Sequence, residues 1–133
     1  MTMRLDGFGL IVRDMNAMVR FYRDVLGFEV RECEDTGNVY LIKDGVLFLL
    51  RESGAAEPAG GASGLAGHVE IALSAGGFED VDRQYVRALE QGAAAVLAPA
   101  TESWGQRACR IADPEGNLIE ISAFGGAAEV NAG

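Results

Sequence analysis

Histidine is the scarcest reactive residue in this chain of 133 residues, which contains only His68. A mechanism that needs two histidines from one chain is therefore excluded. Neither a Cys-x-x-Cys nor a His-Glu-x-x-His zinc motif occurs. The two cysteines, Cys33 and Cys109, give no disulfide framework and fit a reducing cytoplasm, where we expect the protein to be located.

The chain also has few positively charged residues and no long apolar segment. The chain has 11 Lys and Arg against 20 Asp and Glu, a net charge of −9, which would repel a phosphate backbone, so we expect no nucleic-acid partner. No apolar run approaches the ~20 residues that span a bilayer, and the N-terminus becomes polar too early for a secretory signal. A hydrophobic content of 49% predicts a globular protein.

The first half of the chain has the pattern of a β-α-β-β-β module. Residues 8–12 alternate as a strand, and a helix follows that Asp14 or Asn16 can cap. Three strands are predicted next, at 29–32, 38–42 and 46–51, with Asp44-Gly45 as a hairpin turn. The helix carries one apolar stripe, made of Met18, Phe21, Tyr22, Val25 and Leu26.

The same order recurs in the second half, after a segment rich in Gly, Ala and Ser. Residues 68–74 are predicted as a strand and 79–91 as a helix, followed by strands near 94–97, 108–112 and 117–123. We therefore predict a single domain with module one at 4–52, a linker at 53–66, module two at 67–123 and a flexible tail at 124–133.

The period-two geometry of strands indicates which side chains share a face. His68 and Glu70 share one face of their strand, and Glu120 lies opposite the core residues Ile119 and Ile121 of the last strand. Such ionisable faces are either solvated or line a cavity. In the first strand Gly7 and Gly9 share the corresponding face, where glycine lets a ligand or another backbone approach closely. In the hairpin strand, either Phe48 or Leu49 faces that side.

Two long motifs resemble the glyoxalase, bleomycin-resistance and extradiol-dioxygenase superfamily, also called the vicinal oxygen chelate family. The first is Val12-Arg13-Asp14 followed by Met18 to Phe28. The second is Trp104-Gly105-Gln106-Arg107 followed by Asp113 to Glu120. The resemblance covers residues 5–123. It implies an α+β fold in which two paired β-α-β-β-β modules form a curled mixed sheet, or cup, with the helices on its outer face. It also implies a homodimer.

Enzymes of this family hold a divalent metal through residues of the first and last strands of each module. The resemblance places His68 and Glu120 at two such positions. At the other two this chain has Gly7 and Phe48 (or Leu49), so half of the ligand set is absent. A catalytic metal usually has about three protein ligands, and the candidates for a third are Glu70, on the face of His68, and Glu52, if its strand extends far enough.

Three functions remain open at this stage. The first is binding of a small organic molecule, such as a drug, in the cup without a cofactor. The second is a divalent-metal-dependent lyase, isomerase or dioxygenase using His68 and Glu120. The third is metal-free acid–base catalysis by His68 with Glu120 or Glu70. The ligand-binding candidates for these functions are Gly7, Gly9, Phe48, Glu70, Trp104 and Arg107.

Several candidates also have simpler structural explanations. Trp104 either stacks on a planar ligand or covers an interface, and Arg107 pairs either with a ligand anion or with an acidic side chain of the protein. Cys109 has no base partner in the sequence, and we expect a small buried hydrophobic residue there. Phe48 belongs to a residue type that is more often found in a core than against a ligand.

Overall fold

The computed structural model describes residues 3, 5, 7–31, 38–52 and 69–125. The chain divides into two compact units, residues 1–65 and 66–133, which are described separately. Neither described helix is long and apolar enough to cross a membrane.

The first unit is a four-stranded mixed sheet in the order β1-β4-β3-β2. β1 runs parallel to β4, and the other neighbours are antiparallel. A single helix follows β1 and begins as an α-helix, α1, that continues directly into a π-helical turn. The elements are β1 (Gly7–Val12), α1 (Met15–Arg20), the π-helical turn (Phe21–Val25), β2 (Glu29–Arg31), β3 (Asn38–Lys43) and β4 (Val46–Glu52).

Local sequence explains where these elements begin and end. The Asp14 carboxylate accepts a hydrogen bond from the Ala17 amide at 3.1 Å, so Asp14 is the N-cap of α1. Gly27 has a φ of 76° directly after the helix, a conformation that glycine adopts without steric cost. Asp44 and Gly45 both have positive φ, as the predicted two-residue hairpin turn requires.

The core of the first unit lies between its helix and its sheet. Met18 and Tyr22 from the helix are fully buried, as are Leu41 and Leu50 from the sheet. The predicted apolar stripe of the helix is thus confirmed, because all of its members are buried. These are Met18, Phe21, Tyr22, Val25 and Leu26.

The second unit repeats this plan with the strand order β5-β8-β7-β6. β5 runs parallel to β8, and the helix α2 packs on β6, β7 and β8. The buried face of the sheet beneath α2 includes Cys109, Ile111, Ile119 and Ile121. The elements are β5 (Glu70–Ser74), α2 (Phe78–Glu90), β6 (Ala94–Thr101), β7 (Gln106–Ala112) and β8 (Leu118–Phe124).

The predicted α+β fold is confirmed, with two β-α-β-β-β modules that each form a four-stranded mixed sheet. Several details differ from the sequence prediction. The first helix ends in a π-helical turn, and β6 extends to Thr101 instead of ending at residue 97. β7 begins at Gln106, and β8 includes Phe124, the first residue of the predicted tail. The predicted linker at 53–66 and nearly all of the predicted tail lie outside the described residues, as does His68. The single domain stays a prediction.

Candidate functional site

The two faces of the second unit's sheet differ sharply in chemistry. One face is covered by α2 and is apolar, as described above. We call the other the opposite face, meaning the side of a unit's sheet that is turned away from that unit's own helix. Alternation along β7 and β8 places Arg110 and Glu120 on the opposite face, and the strand register pairs these two residues directly. This is the face on which the sequence predicted Glu120.

A charged centre made of Glu70, Arg110 and Glu120 lies on the opposite face. Arg110 Nη2 donates to Glu120 Oε2 at 3.3 Å, and Arg110 Nε donates to Glu70 Oε1 at 3.4 Å. Glu120 is the least exposed of the three, with 19% of its side chain accessible against 39% for Arg110 and 41% for Glu70. One guanidinium thus bridges carboxylates from β5 and β8, and the centre has a net charge of −1.

Small side chains border the charged centre on one side, while Leu118 and Leu97 are the register partners of Glu70 and Arg110 on the other. Ala72 is the partner of Glu120 on β5, while Ala108 and Ser122 form the next cross-strand pair between β7 and β8. On that side of the charged centre the side chains are short, so they leave Glu120 and Arg110 accessible from the sheet surface.

An aromatic side chain lies beyond one end of this surface. Trp104 is 64% exposed, and its indole Nε1 donates to Gln106 Oε1 at 2.9 Å. Gln106 shares the opposite face with Arg110, four residues away along β7, or about 13 Å at the usual rise of a strand. The hydrogen bond orients a large planar surface that the protein leaves accessible.

The structure brings together two of the predicted site residues, Glu70 and Glu120, through a third that sequence reasoning missed. Arg110 was not among the candidates, although alternation from the buried Cys109 and Ile111 placed it on the same face as Glu120. Two sequence features could have identified Arg110. These are strand parity and the pairing of β7 with β8 across the Asp113–Gly116 turn. The prediction for His68 falls outside the described residues.

Arg107 has partners within the protein. Its Nε donates to Asp82 on α2 at 2.9 Å, and its Nη1 donates to Thr101 at 2.8 Å. It shares its side of β7 with the buried Cys109, so it lies on the face beneath the helix. Of the two alternatives drawn from the sequence, the structure matches pairing with an acidic side chain of the protein. The ion pair between Arg107 and Asp82 thus connects β7 to α2.

The glycines of β1 also have a structural explanation. A Cβ placed on Gly7 would collide with the Leu47 carbonyl oxygen, and one on Gly9 would lie 3.1 Å from the Leu49 carbonyl oxygen. The absence of a side chain at Gly7 and Gly9 lets the backbone of β4 approach β1 closely. Of the two alternatives drawn from the sequence, the structure matches the close approach of another backbone, and ligand contact at these glycines stays a prediction.

The position of Phe48 also differs from its assignment to the ligand face. The register pairs Gly9 with Leu49, so Leu49 shares the face of Gly9 and Phe48 points the other way. Phe48 is 5% exposed, and its ring centroid lies 5.1 Å from that of Tyr22 and 5.5 Å from that of Phe28. The large apolar ring is thus part of the aromatic core.

The described residues do not fit the divalent metal that the resemblance implies. In the first unit, the facing pairs Gly7–Leu47 and Gly9–Leu49 carry no ligating side chain. In the second unit, Glu120 is already paired with a guanidinium, and a divalent ion on the same carboxylate would meet that positive charge at short range. Within the described ranges, no group of three or more His, Cys, Asp or Glu side chains could hold a metal ion.

Cys109 is fully buried beneath α2, which supports the predicted small hydrophobic residue. Burial raises the pKa of its thiol from 9.0 to about 11, which leaves very little of the nucleophilic thiolate at neutral pH. A catalytic cysteine needs a lowered pKa, because the thiolate is the nucleophile.

This raised pKa predicts a loss of stability at alkaline pH. Between pH 9 and pH 11 the thiol of the unfolded chain ionises while that of the folded protein stays protonated, so the free energy of unfolding decreases. We expect urea denaturation at pH 8.5 and pH 11 to show a loss about 2 kcal/mol larger in the wild type than in Cys109→Ala. Equal losses in the two proteins would show that the thiol does not contribute.

Comparison with known proteins gives the same fold. A crystal structure of a glyoxalase/bleomycin resistance protein/dioxygenase from Nocardioides aligns with a TM-score of 0.74 at 21% identity, covering 96% of this chain and 87% of that one. The fosfomycin resistance protein FosX from Listeria monocytogenes aligns at 0.72 and 20% identity, covering 98% and 99%. TioX from Micromonospora sp. ML1 aligns at 0.72 and 22% identity, covering 91% and 99%.

No curated protein matches the chain significantly. The family model of the Glyoxalase/Bleomycin resistance protein/Dioxygenase superfamily, however, matches residues 4–121, which is nearly all of both modules. The match includes the two motifs noted in the sequence and the repeated β-α-β-β-β order. The chain belongs to the glyoxalase/bleomycin resistance protein/dioxygenase superfamily.

Proposed function

We propose that this protein binds a small organic molecule on the opposite face of its second unit, without a bound metal. The charged centre of Glu70, Arg110 and Glu120 supplies both hydrogen-bond donors and acceptors for such a ligand. Trp104 supplies a planar surface for stacking near one end of the same face. The charged centre has a net charge of −1, because one guanidinium balances only one of two carboxylates, and this charge favours a cationic or hydrogen-bonding ligand.

The observation that carries this proposal is the ion pair between Glu120 and Arg110. The family resemblance implies that Glu120 is a metal ligand. In this structure its carboxylate instead forms an ion pair with the Arg110 guanidinium. A centre of this kind recognises polar groups of a ligand directly and has no need of a metal to do so.

The alternative is a divalent-metal-dependent lyase, isomerase or dioxygenase that uses His68 and Glu120. The metal content of protein purified without chelators separates the two functions. We expect far less than one equivalent of divalent metal in the wild type. Stoichiometric metal that is lost in His68→Ala would overturn the proposal and support the alternative.

Ligand binding itself can be followed through Trp104, because it is the single tryptophan of the chain. We expect a saturable change in its fluorescence on titration with a panel of small cationic and polar drugs. The panel includes bleomycin, the drug that appears in the name of the family. Glu120→Gln should weaken binding by roughly tenfold or more, since a charged acceptor is replaced by a neutral amide that accepts weaker hydrogen bonds.

Glu90→Gln provides the matched control for that measurement. It removes the same charge from the exposed end of α2 and should leave the affinity unchanged. Equal weakening by both substitutions would mean that only net charge matters. A panel that produces no saturable response in the wild type would contradict ligand binding at this face.

A homodimer in the cytoplasm also belongs to this proposal. β6 is the outermost strand of its sheet, and Val96 and Leu97 on it are each about half exposed. Exposed apolar side chains of this kind favour packing against another chain. Sedimentation equilibrium is expected to give twice the mass of the chain.

A further inference from the structure

We infer that Arg110 takes the charge-balancing role of a divalent metal at Glu120, and that Arg110 is the residue that excludes such a metal from the opposite face. The inference rests on the proposed function, because it explains why ligand binding there proceeds without a metal. According to this inference, Arg110 determines whether Glu70 and Glu120 bind a guanidinium or a metal ion.

The first step of the argument is electrostatic. Two carboxylates, from β5 and β8, lie within 3.4 Å of one guanidinium, which neutralises half of their charge. Carboxylates held this close to a shared cation repel each other once that cation is removed. A new cation between them then lowers the free energy, and hard oxygen ligands of this kind suit a divalent ion.

The second step is geometric. Arg110 donates to Glu70 Oε1 through Nε and to Glu120 Oε2 through Nη2, so a single guanidinium contacts both carboxylates at once. A metal ion bound through the same oxygens would have to displace these two hydrogen bonds. The guanidinium and a metal therefore compete for Glu70 Oε1 and Glu120 Oε2.

The neighbouring strand position offers a matched control. Arg107 is an arginine on the same strand, β7, but it lies on the face beneath α2 and pairs with Asp82. Replacing either arginine by methionine removes one positive charge from the protein and keeps a long side chain. Only the replacement of Arg110 removes the cation between Glu70 and Glu120.

The experiment is calorimetric titration of the full-length protein with Mn²⁺ alone and with Zn²⁺ alone, in metal-free buffer. We expect Arg110→Met to bind one equivalent roughly a hundredfold more tightly than the wild type. Arg107→Met and the charge-retaining Arg110→Lys should behave like the wild type. Arg110→Met/Glu120→Gln should lose the acquired site. Circular dichroism establishes that each variant is folded.

Two results would overturn the inference. One is an Arg110→Met variant that is folded and binds these metals no better than the wild type. The other is a wild-type protein that itself binds one equivalent and loses it in Glu120→Gln. The drug titration followed through Trp104 is independent of both results, so a failure of the proposed ligand binding is seen separately.

Discussion

Phe48→Ala is expected to lower the free energy of unfolding by about 4 kcal/mol, as large-to-small changes of a buried aromatic residue do. Phe48 is nearly inaccessible, and its ring contacts those of both Tyr22 and Phe28. The substitution removes the apolar surface and two ring contacts, and it leaves a cavity between the sheet and the helix. Urea denaturation measures the loss, and the Tm should fall by roughly 10 °C or more.

Leu49→Ala is the control, because Leu49 is the next residue of β4 and lies on the opposite face of the first unit. It is only half-buried, so we expect less than half of the loss seen for Phe48→Ala. The sequence left open whether Phe48 or Leu49 faces the core, and the comparison of the two variants distinguishes these registers. If Leu49→Ala proved the more destabilising of the two, Phe48 would not lie in the core.

Local patterns predicted most of the fold. The helix stripe from Met18 to Leu26 and the Asp44-Gly45 turn are short-range signals, because helical spacing and positive φ are properties of neighbouring residues. The strand parity of Glu120 is equally local. Each of these predictions depends only on residues that lie within a few positions of one another.

Only part of the charged centre could be predicted in the same way. Arg110 and Glu120 face each other across a hairpin, so strand parity and the predicted turn were a signal for this pair. Glu70 joins them because β5 lies on the other side of β8, and that strand order is not revealed by periodicity. The close approach of β4 to Gly7 also depends on a long-range strand pair, so the sequence could not distinguish a neighbouring backbone from a ligand.

The register of β7 and β8 is set by the turn between them, in which Asp113 is 3% exposed. Asp113 Oδ1 accepts hydrogen bonds from the backbone amides of Glu115 and Asn117 at 2.9 and 3.0 Å. Its Oδ2 accepts a hydrogen bond from Asn117 Nδ2 at 2.9 Å. Gly116 completes the turn with a φ of 88°. A side chain that holds its own backbone in this way fixes the turn geometry, and the turn geometry fixes the strand register.

Asp113→Ala is therefore expected to lower the free energy of unfolding by about 4 kcal/mol, since the two buried donors of Asn117 lose their acceptor at ~1–3 kcal/mol each. Urea denaturation measures this loss.

The double variant Asp113→Asn/Asn117→Asp exchanges donor and acceptor while keeping both side chains the same size. It should recover most of the stability that Asp113→Asn loses alone, because the amide at 113 again faces a carboxylate. Failure of this exchange to restore stability would mean that the side-chain pair is not what holds the turn.

The effect should extend to the site, because a one-residue slip of β7 against β8 would move Arg110 away from Glu120. In the folded fraction of Asp113→Ala, the affinity for the ligand found through Trp104 is therefore expected to fall together with stability. Undiminished affinity in that fraction would show that the charged centre keeps its register without the Asp113 turn.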